Sequence, residues 1–485
     1  MNDENLSLLI CDYLSEKYGV DKSVLDHADR LAQTLLRGGI CIDATDIAMH
    51  QNSNAVSVGG NELRPLVLDN GKLYFQKYWI YQKAIIDRIL DMAAKGTLRI
   101  ICGGPGTGKT TSASKIIEND LAQNPDAKIV MAAPTGKAAF RMNESMARVG
   151  ISVIKGVTIH RLLGQKRLNG SLKDIIDEPL DADIIVLDEC SMIDISLMAR
   201  TLCAVKDGAK LYMLGDRHQL ASVEAGSVFS DICEAFLSSK NNFPITELTG
   251  SHRFDDDRGI GMLARDINGG MLETIDKLCR GQYADGDGGA RFLNSINDVR
   301  GAISAGYKEF FAAKDASDAL RALRKFQVLC ATRMGAQHIG FIAASISKNA
   351  GGIFSPRIII ENNYIQNIFN GDVCVCDDNN AYFLNANEVR VVPKAILPKN
   401  EQAFAITIHK SQGSEYDSVL IVYPSADFND DDSDFLTREL LYTAVTRARE
   451  KCLIFGNANL IAGSLARRVI RASGIIDNLE LKMEN

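Results

Sequence analysis

The residues best suited to chemistry lie in one glycine-rich segment, Gly103–Thr110 (GGPGTGKT). An apolar segment, Leu98–Cys102, precedes it and a helix-like segment, Thr110–Leu121, follows it, so it joins a predicted buried strand to a predicted helix. The glycines let backbone N–H groups approach phosphate oxygens, and the helix dipole favours an anion at the same place. This context predicts a nucleotide-binding loop; the alternative is a glycine turn beside a solvated lysine.

The loop supplies both a cation for phosphates and a hydroxyl for a metal ion. Lys109 is expected to reach the β- and γ-phosphates of ATP, and the Thr110 hydroxyl is expected to ligate Mg²⁺. The residues predicted to contact the nucleotide are Gly103, Gly104, Pro105, Gly106, Thr107, Gly108, Lys109, Thr110 and Thr111.

Two acids end a second apolar segment, Asp183–Glu189 (DIIVLDE). A buried strand there would deliver both acids to the carboxyl edge of a sheet. Asp188 would then hold Mg²⁺, directly or through water, and Glu189 would accept a proton from an attacking water. Two solvated acids at a strand end are the alternative, and the glycine loop upstream favours the catalytic interpretation.

Several polar residues follow later predicted strands and could sense the γ-phosphate. Gln219 comes after the apolar segment Lys210–Gly215, and ligands of parallel α/β sheets bind at the carboxyl ends of strands. Arg253 follows a strand-like segment, Ile245–Leu248, and Arg447 and Arg449 could act as arginine fingers across a cleft. The alternatives are a loop glutamine and a solvated helix end, and the sequence alone does not choose between Arg447 and Arg449.

A further glutamine, Gln82, stands at the head of a predicted helix, Tyr81–Ala94. Its amide could read the edge of adenine with one donor and one acceptor. A surface glutamine fits the sequence equally well.

Length and composition restrict the kind of protein that this sequence can be. The 485 residues are enough for about three or four domains, and no apolar run approaches the ~20 residues of a membrane span. The net charge is −7, but residues 1–60 hold nine Asp or Glu against four Lys or Arg, so a basic nucleic-acid footprint elsewhere is not excluded. The acidic start predicts no signal or transit peptide, and eleven scattered cysteines predict reduced thiols in the cytoplasm.

The order of patterns predicts an α/β protein with three parts. Residues 1–72 form a small N-terminal domain, 73–300 a first α/β unit, and 301–485 a second unit. Short β-type runs without helical period predict a small β-barrel inserted at about 357–400. Asn169–Gly170 is a strong hairpin signal, so a small β-hairpin is expected at about 165–174, with a plain surface turn as the alternative.

Nine motifs stand in a fixed order, and together they resemble the superfamily 1 helicases and, more narrowly, the RecD family, the alpha subunits of exodeoxyribonuclease V (RecBCD). The motifs are GGPGTGKTT, AAPTGKAAFRMNES, TIHRLLG, VLDECSMID, LGDRHQLASVEAGSVFSDIC, HRFDDDRGIG, FNGDV, TIHKSQGSEYDSV and ELLYTAVTRARE. The segment ADRLAQTLLRGGICID also resembles the N-terminal module by which RecD docks onto RecC. The resemblance runs from the first predicted helix to near the C-terminus.

The resemblance implies two RecA-like domains with parallel sheets, ATP in the cleft between them, a small N-terminal helical domain and an SH3-like barrel in the second RecA-like domain. It implies ATP-driven movement along single-stranded DNA in the 5′-to-3′ direction, with unwinding of duplex ends. The partners implied are DNA and homologues of RecB and RecC in a heterotrimer that serves double-strand break repair and recombination. The nuclease of such a complex belongs to RecB, so this chain would contribute to an ATP-dependent exodeoxyribonuclease only as its motor.

The resemblance also assigns residues. Lys109, Thr110, Asp188 and Glu189 match the phosphate, Mg²⁺ and water-activating positions. Gln219 matches the sensor, and the γ-phosphate arginines are Arg253 and Arg447. The motifs that line the DNA path contain Thr135, Thr158, His160, His409 and Ser411. Contacts there are expected to involve phosphates and stacked bases.

Three other functions compete with a motor subunit. One is a stand-alone RecD-like helicase, and another is a mainly regulatory subunit that hydrolyses ATP but does not unwind DNA by itself. A P-loop kinase of a small molecule is disfavoured, because it would need neither a second α/β unit with a β insertion nor the late arginines.

Overall fold

The computed structural model describes residues 3–44, 53–148, 156–169, 172–239, 243–251, 253–255, 257–363, 365–385, 388–425 and 435–484. These residues form four sheets, two of them six-stranded and almost entirely parallel, so the predicted α/β class is confirmed. Within these ranges no helix is both long and apolar enough to cross a membrane.

The N-terminal module pairs two helices with a small sheet. Its elements are α1 (Asp3–Tyr18), α2 (Lys22–Leu36), β1 (Cys41–Asp43), β2 (Val56–Val58), β3 (Leu66–Asp69) and β4 (Lys72–Phe75), in the sheet order β1-β4-β3-β2. Asp21 caps α2 by accepting from the Val24 N–H, and α2 buries Val24, Ala28 and Leu31 at helical spacing. The predicted helices are present, and the sheet is an addition, because strands of three or four residues are too short to show alternation.

The first α/β unit follows directly. Its elements are α3 (Gln76–Ala94), β5 (Leu98–Gly103), α4 (Lys109–Gln123), β6 (Ile129–Ala133), α5 (Gly136–Arg148), β7 (Val157–Thr158), α6 (Ile159–Asn169), α7 (Leu172–Asp177), β8 (Ile184–Leu187), α8 (Ile195–Ala204), β9 (Lys210–Gly215), α9 (Val228–Ser238) and β10 (Ile245–Leu248). The sheet order is β10-β5-β9-β8-β6-β7, and every pair is parallel. Helices cover both faces, which is why these strands are runs of apolar residues.

The second α/β unit begins earlier than residue 301. Its elements before the β insertion are α10 (Gly259–Asn268), α11 (Thr274–Cys279), β11 (Ala284–Asp285), β12 (Gly288–Phe292), α12 (Ile296–Gly306), α13 (Lys308–Ala312), α14 (Ala316–Leu323), β13 (Phe326–Cys330) and α15 (Arg333–Asn349). Leu263 and Ile267 of α10 are buried in the core of this second unit. The boundary therefore lies near Gly259 and not at residue 301.

The predicted β insertion is a five-stranded antiparallel sheet between α15 and the rest of the second unit. Its strands are β14 (Ser355–Ile359), β15 (Val373–Cys376), β16 (Asn380–Asn385), β17 (Glu388–Pro393) and β18 (Asn400–Gln402), in the order β17-β16-β15-β14-β18. The chain then completes the second unit with β19 (Ala405–Thr407), β20 (Tyr416–Val422), α16 (Arg438–Val445), β21 (Ala448–Phe455) and α17 (Ala458–Ala466). The order in that sheet is β11-β12-β21-β20-β13-β19.

The segments on either side of Asn169–Gly170 do not form the predicted β-hairpin. The chain is helical up to Asn169 and again from Leu172, so α6 and α7 stand where two strands were expected, and residues 170–171 lie outside the described part. The flanks alternate only weakly between apolar and polar residues, so the Asn-Gly signal had no strand pattern to support it.

The C-terminal segment leaves the second unit and returns to the first. Helix α18 (Ile475–Glu484) buries Ile475 and Leu479 in the core beneath α3 and α9. Ahead of it, the Ile40 N–H donates to the Ala472 carbonyl at 2.7 Å. The chain end therefore joins the N-terminal module to the first unit, contrary to the prediction that residues 301–485 form one domain.

Candidate functional site

The glycine loop has the geometry of an anion cradle. It joins β5 to α4, and Gly106 and Gly108 adopt φ of 78° and 85°, a left-handed conformation that favours glycine. A Cβ on Gly106 would lie 2.5 Å from Cβ of Arg253. Lys109 Nζ donates to the Gly103 carbonyl at 2.6 Å and to the Gly104 carbonyl at 3.0 Å, which places the ammonium at the centre of the loop.

A cleft of about 1130 Å³ between the two α/β units contains most of the predicted chemistry. The predicted residues that line it are Pro105, Gly106, Gly108, Lys109, Thr110, Thr111, Thr158, Asp188, Glu189, Gln219, Arg253, Arg447 and Arg449. Thr107 is buried instead, and its hydroxyl donates to the Gly104 carbonyl at 2.9 Å, so it shapes the loop from behind. The cleft thus combines a phosphate loop, two acids and the candidate arginines from separate parts of the chain.

The two acids stand at the carboxyl end of β8. Burial and the neighbouring charge of Glu189 raise the pKa of Asp188 to about 6, against the lowering effect of the Glu189 N–H and Lys109. Glu189 has φ 53° and ψ 42°, a left-handed conformation that is strained for a residue with a side chain. Such strain is typical of a residue whose side-chain direction matters for function.

The predicted sensor, Gln219, is buried and connects the units. Its Nε2 donates to Asp216 Oδ2 at 2.9 Å, and the same oxygen accepts from Tyr442 Oη of α16 at 3.2 Å. The next residue continues the connection, because the Leu220 N–H donates to Thr443 Oγ1 at 3.0 Å. Gln219, through Asp216, and Leu220 are therefore hydrogen-bonded to helix α16 of the second unit.

The three candidate arginines occupy different environments. Arg253 donates to Glu415 Oε1 at 2.7 Å, and among the described residues its buried Nη1 has no hydrogen-bond partner. Arg447 is buried and donates to the carbonyls of Thr443 at 3.0 Å and Ser414 at 3.1 Å. Arg449 is more exposed and pairs with Glu415 Oε2 at 3.2 Å. Arg447 and Arg449 both line the cleft, so position alone does not separate them.

Glu415 is a cleft residue that the sequence analysis missed. Burial opposes its ionisation, but the charges of Arg141 and Arg253 outweigh burial and lower its pKa to about 2. Arg141 Nη1 lies 3.6 Å from Glu415 Oε1. The only sequence signal was an acid directly ahead of the β20 strand, within a motif already assigned to the DNA path.

Gln82 is not part of the cleft, and its predicted adenine contact is not supported. The side chain is buried in α3, where Nε2 donates to Tyr74 Oη at 3.2 Å and Oε1 accepts from the Gly474 N–H at 3.0 Å. Both ends of the amide are therefore used inside the protein. The C-terminal return supplies one of these partners, which could not be foreseen from the residues around Gln82.

Threonines that cap helices mark the same sheet edge in both units. Thr135 Oγ1 accepts from the Ala138 N–H and Thr158 Oγ1 from the Arg161 N–H, each at 3.2 Å, so both predicted DNA residues begin helices after neighbouring strands. His160 is exposed beside Thr158. Their counterparts in the second unit were not among the predicted residues.

Those counterparts are Thr332 and Thr407. Thr332 Oγ1 accepts from the Gly335 N–H at 2.9 Å, and Thr407 Oγ1 accepts from the Lys410 N–H at 3.4 Å. Thr332 follows β13, and Thr407 is the last residue of the neighbouring strand β19, ahead of a three-residue 3-10 turn, His409–Ser411. The signal was a threonine at or just after the end of a strand. Thr407 and Lys410 border a groove of about 1230 Å³ in the second unit, lined also by Arg333.

The two other predicted DNA residues are less accessible. Ser411 is fully buried, and its hydroxyl donates to the Ile408 carbonyl at 2.6 Å, so it stabilises its own turn and is not presented to a ligand. Burial, with the nearby charges of Arg471 and Arg333, lowers the pKa of His409. His409 is therefore a half-buried imidazole that is mainly neutral near neutral pH.

A metal ion in the cleft would depend on ligands from outside the protein. In the part of the chain that the structure describes, no group of three or more His, Cys, Asp or Glu side chains is arranged to hold a metal. Thr110 and Asp188 both line the cleft, and Mg²⁺ in nucleotide sites is usually bound by one or two protein oxygens together with phosphates and waters.

Comparison with known proteins identifies related chains. The family model described as an AAA domain matches residues 86–225, and the model described as a UvrD-like helicase C-terminal domain matches residues 402–455. The RecBCD enzyme subunit RecD of Mycobacterium tuberculosis is 34% identical over 423 residues, which cover 80% of this chain and 72% of that protein.

More distant relatives include a protein named as a helicase. The RecD subunit of Haemophilus influenzae is 30% identical, with 80% of this chain and 71% of that protein covered. The ATP-dependent RecD2 DNA helicase of Deinococcus radiodurans is 28% identical, with 81% of this chain but 51% of that protein covered. A solved structure of Bacteroides Pif1 bound to single-stranded DNA matches with 17% identity and a TM-score of 0.42, covering 83% of this chain and 97% of that one.

Proposed function

Because this chain belongs to the RecD family, we propose that it is an ATP-dependent DNA helicase that moves 5′ to 3′ along single-stranded DNA. We propose further that it is the motor subunit of a RecBCD-type exodeoxyribonuclease V, with homologues of RecB and RecC, in double-strand break repair and recombination. The nuclease activity would reside in the RecB homologue.

The observation that carries the proposal is the cleft that both α/β units build. The first unit contributes Lys109 and Glu189, and the second contributes Glu415 and Arg447. A site assembled from two units opens and closes as they move, and that motion is how phosphate chemistry could drive steps along DNA. A simple nucleotide-binding domain would not require groups from a second unit.

The residues present fit ATP and Mg²⁺. A Cβ on the left-handed Gly106 would collide with Arg253, and the Nη1 of Arg253, unpartnered within the described residues, is a buried donor beside the loop. Lys109 would hold the phosphates, while Thr110 and Asp188 would hold Mg²⁺, which would neutralise phosphate charge when bound. Burial and the charge of Glu189 raise the pKa of Asp188, and a bound cation would favour its ionised form.

The other cleft residues would orient and transfer a proton. Glu189 is expected to accept a proton at its carboxylate from the attacking water. Gln219 would orient that water and report on the phosphate to Tyr442 through Asp216. Arg253 and Arg447 would stabilise the negative charge that develops on the phosphoryl oxygens.

DNA is expected along the edge marked by the four capping threonines. Backbone N–H groups at helix N-termini are suitable partners for phosphates. Thr135 and Thr158 lie in the first unit, and Thr332 and Thr407 lie in the second, so a single strand could contact both moving parts. The 5′-to-3′ direction rests on the family resemblance.

The N-terminal module is proposed to dock onto a RecC homologue. Leu8, Leu9 and Tyr13 of α1 are 61%, 57% and 48% exposed. Three large apolar side chains exposed on one short helix favour a protein partner. The eleven free thiols support a cytoplasmic setting, in which thiols persist unoxidised.

A stand-alone helicase is the second candidate, because the RecD2 relative aligns with 81% of this chain. The subunit role is favoured because the RecD subunits of M. tuberculosis and H. influenzae are 34% and 30% identical to this chain, against 28% for the RecD2 helicase.

The test is DNA-stimulated ATP hydrolysis by Lys109→Ala, with Lys115→Ala as the matched control. Lys115 is an exposed lysine on the same helix, α4. We expect Lys109→Ala to abolish hydrolysis and Lys115→Ala to retain it. Equal activity of Lys109→Ala and wild type would refute the assignment of the site.

A further inference from the structure

The loop that follows the sensor glutamine is fastened by three separate parts of the chain. This sensor loop, Leu220–Gly226, is bound to the second unit at its start, where the Leu220 N–H donates to Thr443 and the Leu220 carbonyl accepts from Gln412 Nε2, both at 3.0 Å. Its far end is bound by residues that lie outside the cleft and belong to neither motor unit's sheet.

Arg471 of the C-terminal segment holds that far end. Nη1 donates to the Glu224 carbonyl at 2.7 Å and the Gly226 carbonyl at 2.8 Å, and Nη2 donates to the Ser222 carbonyl at 2.5 Å. One guanidinium thus donates hydrogen bonds to three carbonyl oxygens of a single loop. Its planar array of donors suits this task, and a lysine could not reproduce it.

The N-terminal module is bound to the same place. The Gly226 N–H donates to the Gly38 carbonyl at 2.9 Å. Gly38 has φ of 86°, and a Cβ there would lie 2.8 Å from Nε of Arg471. The module and the arginine are therefore packed together against the sensor loop, with no space for a side chain between them.

We propose that Arg471 is a positioning residue that fixes the sensor loop and, through it, Gln219. We propose also that Gly38 couples the N-terminal module to ATP hydrolysis by the same contact. Both statements rest on the proposed function, because hydrolysis is the activity that the loop would control. A partner that binds or shifts the N-terminal module would thereby change the rate of hydrolysis.

The physical reason is the short connection between loop and sensor. Gln219 directly precedes Leu220, and displacements of about 1 Å at a catalytic group can cost a large part of the rate. Arg471 does not line the nucleotide cleft, so it would reach Gln219 only through the loop. Its loss should lower turnover and leave ATP affinity nearly unchanged, which general unfolding would not do selectively.

The test compares Arg471→Ala, Arg471→Lys and Gly38→Ala with a matched control, Arg88→Ala. Arg88 of α3 also donates to backbone carbonyls, those of Leu202 at 3.4 Å and Val205 at 2.6 Å. Those carbonyls lie at the end of α8, at the amino edge of the sheet and away from the cleft. The control therefore removes a comparable set of hydrogen bonds without touching the sensor loop.

We expect Arg471→Ala to lower kcat of DNA-stimulated hydrolysis about tenfold, with KM for ATP changed by less than about twofold. Gly38→Ala should act in the same direction, Arg471→Lys should be intermediate, and Arg88→Ala should retain kcat. Hydrogen exchange of amides 220–226 should accelerate in Arg471→Ala and Gly38→Ala but not in Arg88→Ala.

The proposal is overturned if Arg471→Ala keeps kcat within about twofold of wild type, or if Arg88→Ala loses as much. If Arg471→Ala does not fold, Gly38→Ala tests the same contact through the residue that the N-terminal module contributes. If the wild type itself does not hydrolyse ATP, the proposed function fails. The hydrogen exchange of amides 220–226 then still tests whether Arg471 and Gly38 hold the sensor loop in place.

Discussion

Arg253 and Glu415 form an ion pair of 2.7 Å across the cleft. Arg253 follows β10 of the first unit, and Glu415 directly precedes β20 of the second. Because the partners belong to different units, the pair joins the two units at the mouth of the glycine loop. A γ-phosphate entering the cleft would compete with Glu415 for the same guanidinium.

Replacing Glu415 should therefore disturb the arginines more than the phosphate loop. In Glu415→Gln, Arg141, Arg253 and Arg449 lose their shared counter-charge in a partly buried place. We expect kcat for ATP hydrolysis to fall about tenfold or more, because removing one partner leaves the others misplaced. Steady-state ATPase kinetics measure this.

Glu62→Gln is the control for that variant, because Glu62 is an exposed acid that pairs with Arg64 in the N-terminal module, away from the cleft. Since the pKa of Glu415 is lowered to about 2, its charge is constant near neutrality. The stability it contributes is present above its unfolded pKa and is lost only as pH falls towards about 2. A ratio of variant to wild-type activity that changes between about pH 6 and about pH 9 would contradict this account.

Asp231 should make the folded state less stable as pH rises. It lies 2.6 Å from Ser473 Oγ in the C-terminal return, and burial raises its pKa from 3.8 to about 7, with Glu234 adding and Arg471 opposing. The folded state then keeps a proton that the unfolded chain has lost, so this contribution to stability declines from about pH 4 and is gone above about pH 7.

Asp231→Asn tests that sign, because asparagine fills the space without ionising. We expect its melting temperature to exceed that of wild type by a few degrees at about pH 8, and the difference to shrink at about pH 5. A difference that grows towards acid pH would show that Asp231 is stabilising as a carboxylate.

Replacing Gln82 distinguishes a structural role of its amide from the predicted contact with adenine. Because its amide joins Tyr74 to Gly474, Gln82→Ala should destabilise the C-terminal return and lower the melting temperature. KM for ATP should rise by less than about twofold. A large rise in KM with an unchanged melting temperature would restore the adenine contact.

The capping threonines of the second unit should contribute to DNA affinity. In Thr407→Val the helical turn at Lys410 loses its cap beside the groove, and we expect single-stranded DNA to bind about three- to tenfold more weakly, for any base sequence. Fluorescence anisotropy with two unrelated oligonucleotides measures this. Asp21→Ala removes the cap of α2 in the N-terminal module and should leave DNA affinity unchanged.

The sequence was informative where a signal is local. The glycine loop, the two acids after β8 and the sensor after β9 could be located because each follows a short apolar strand, and the structure brings them to one cleft. Because the strands of such a sheet are parallel, the residues that follow them lie at the same edge, so their proximity could be predicted.

What could not be predicted depends on contacts between distant segments. Glu415 acquires its role from Arg141 and Arg253, and Gln82 is engaged by Gly474. The strand β12 pairs with β21, so residues before 301 belong to the second unit and the domain boundary lies earlier than predicted. No periodicity in a short segment reports such pairings, because their partners lie far away in the sequence.

The most direct test of the central claim is unwinding by the purified chain of duplexes with either a 5′ or a 3′ single-stranded overhang. We predict ATP-dependent unwinding from the 5′ overhang only, lost in Lys109→Ala and kept in Lys115→Ala. Unwinding from the 3′ overhang would contradict the proposed direction. Absence of both unwinding and DNA-stimulated hydrolysis, in a folded chain that binds ATP, would contradict the motor itself.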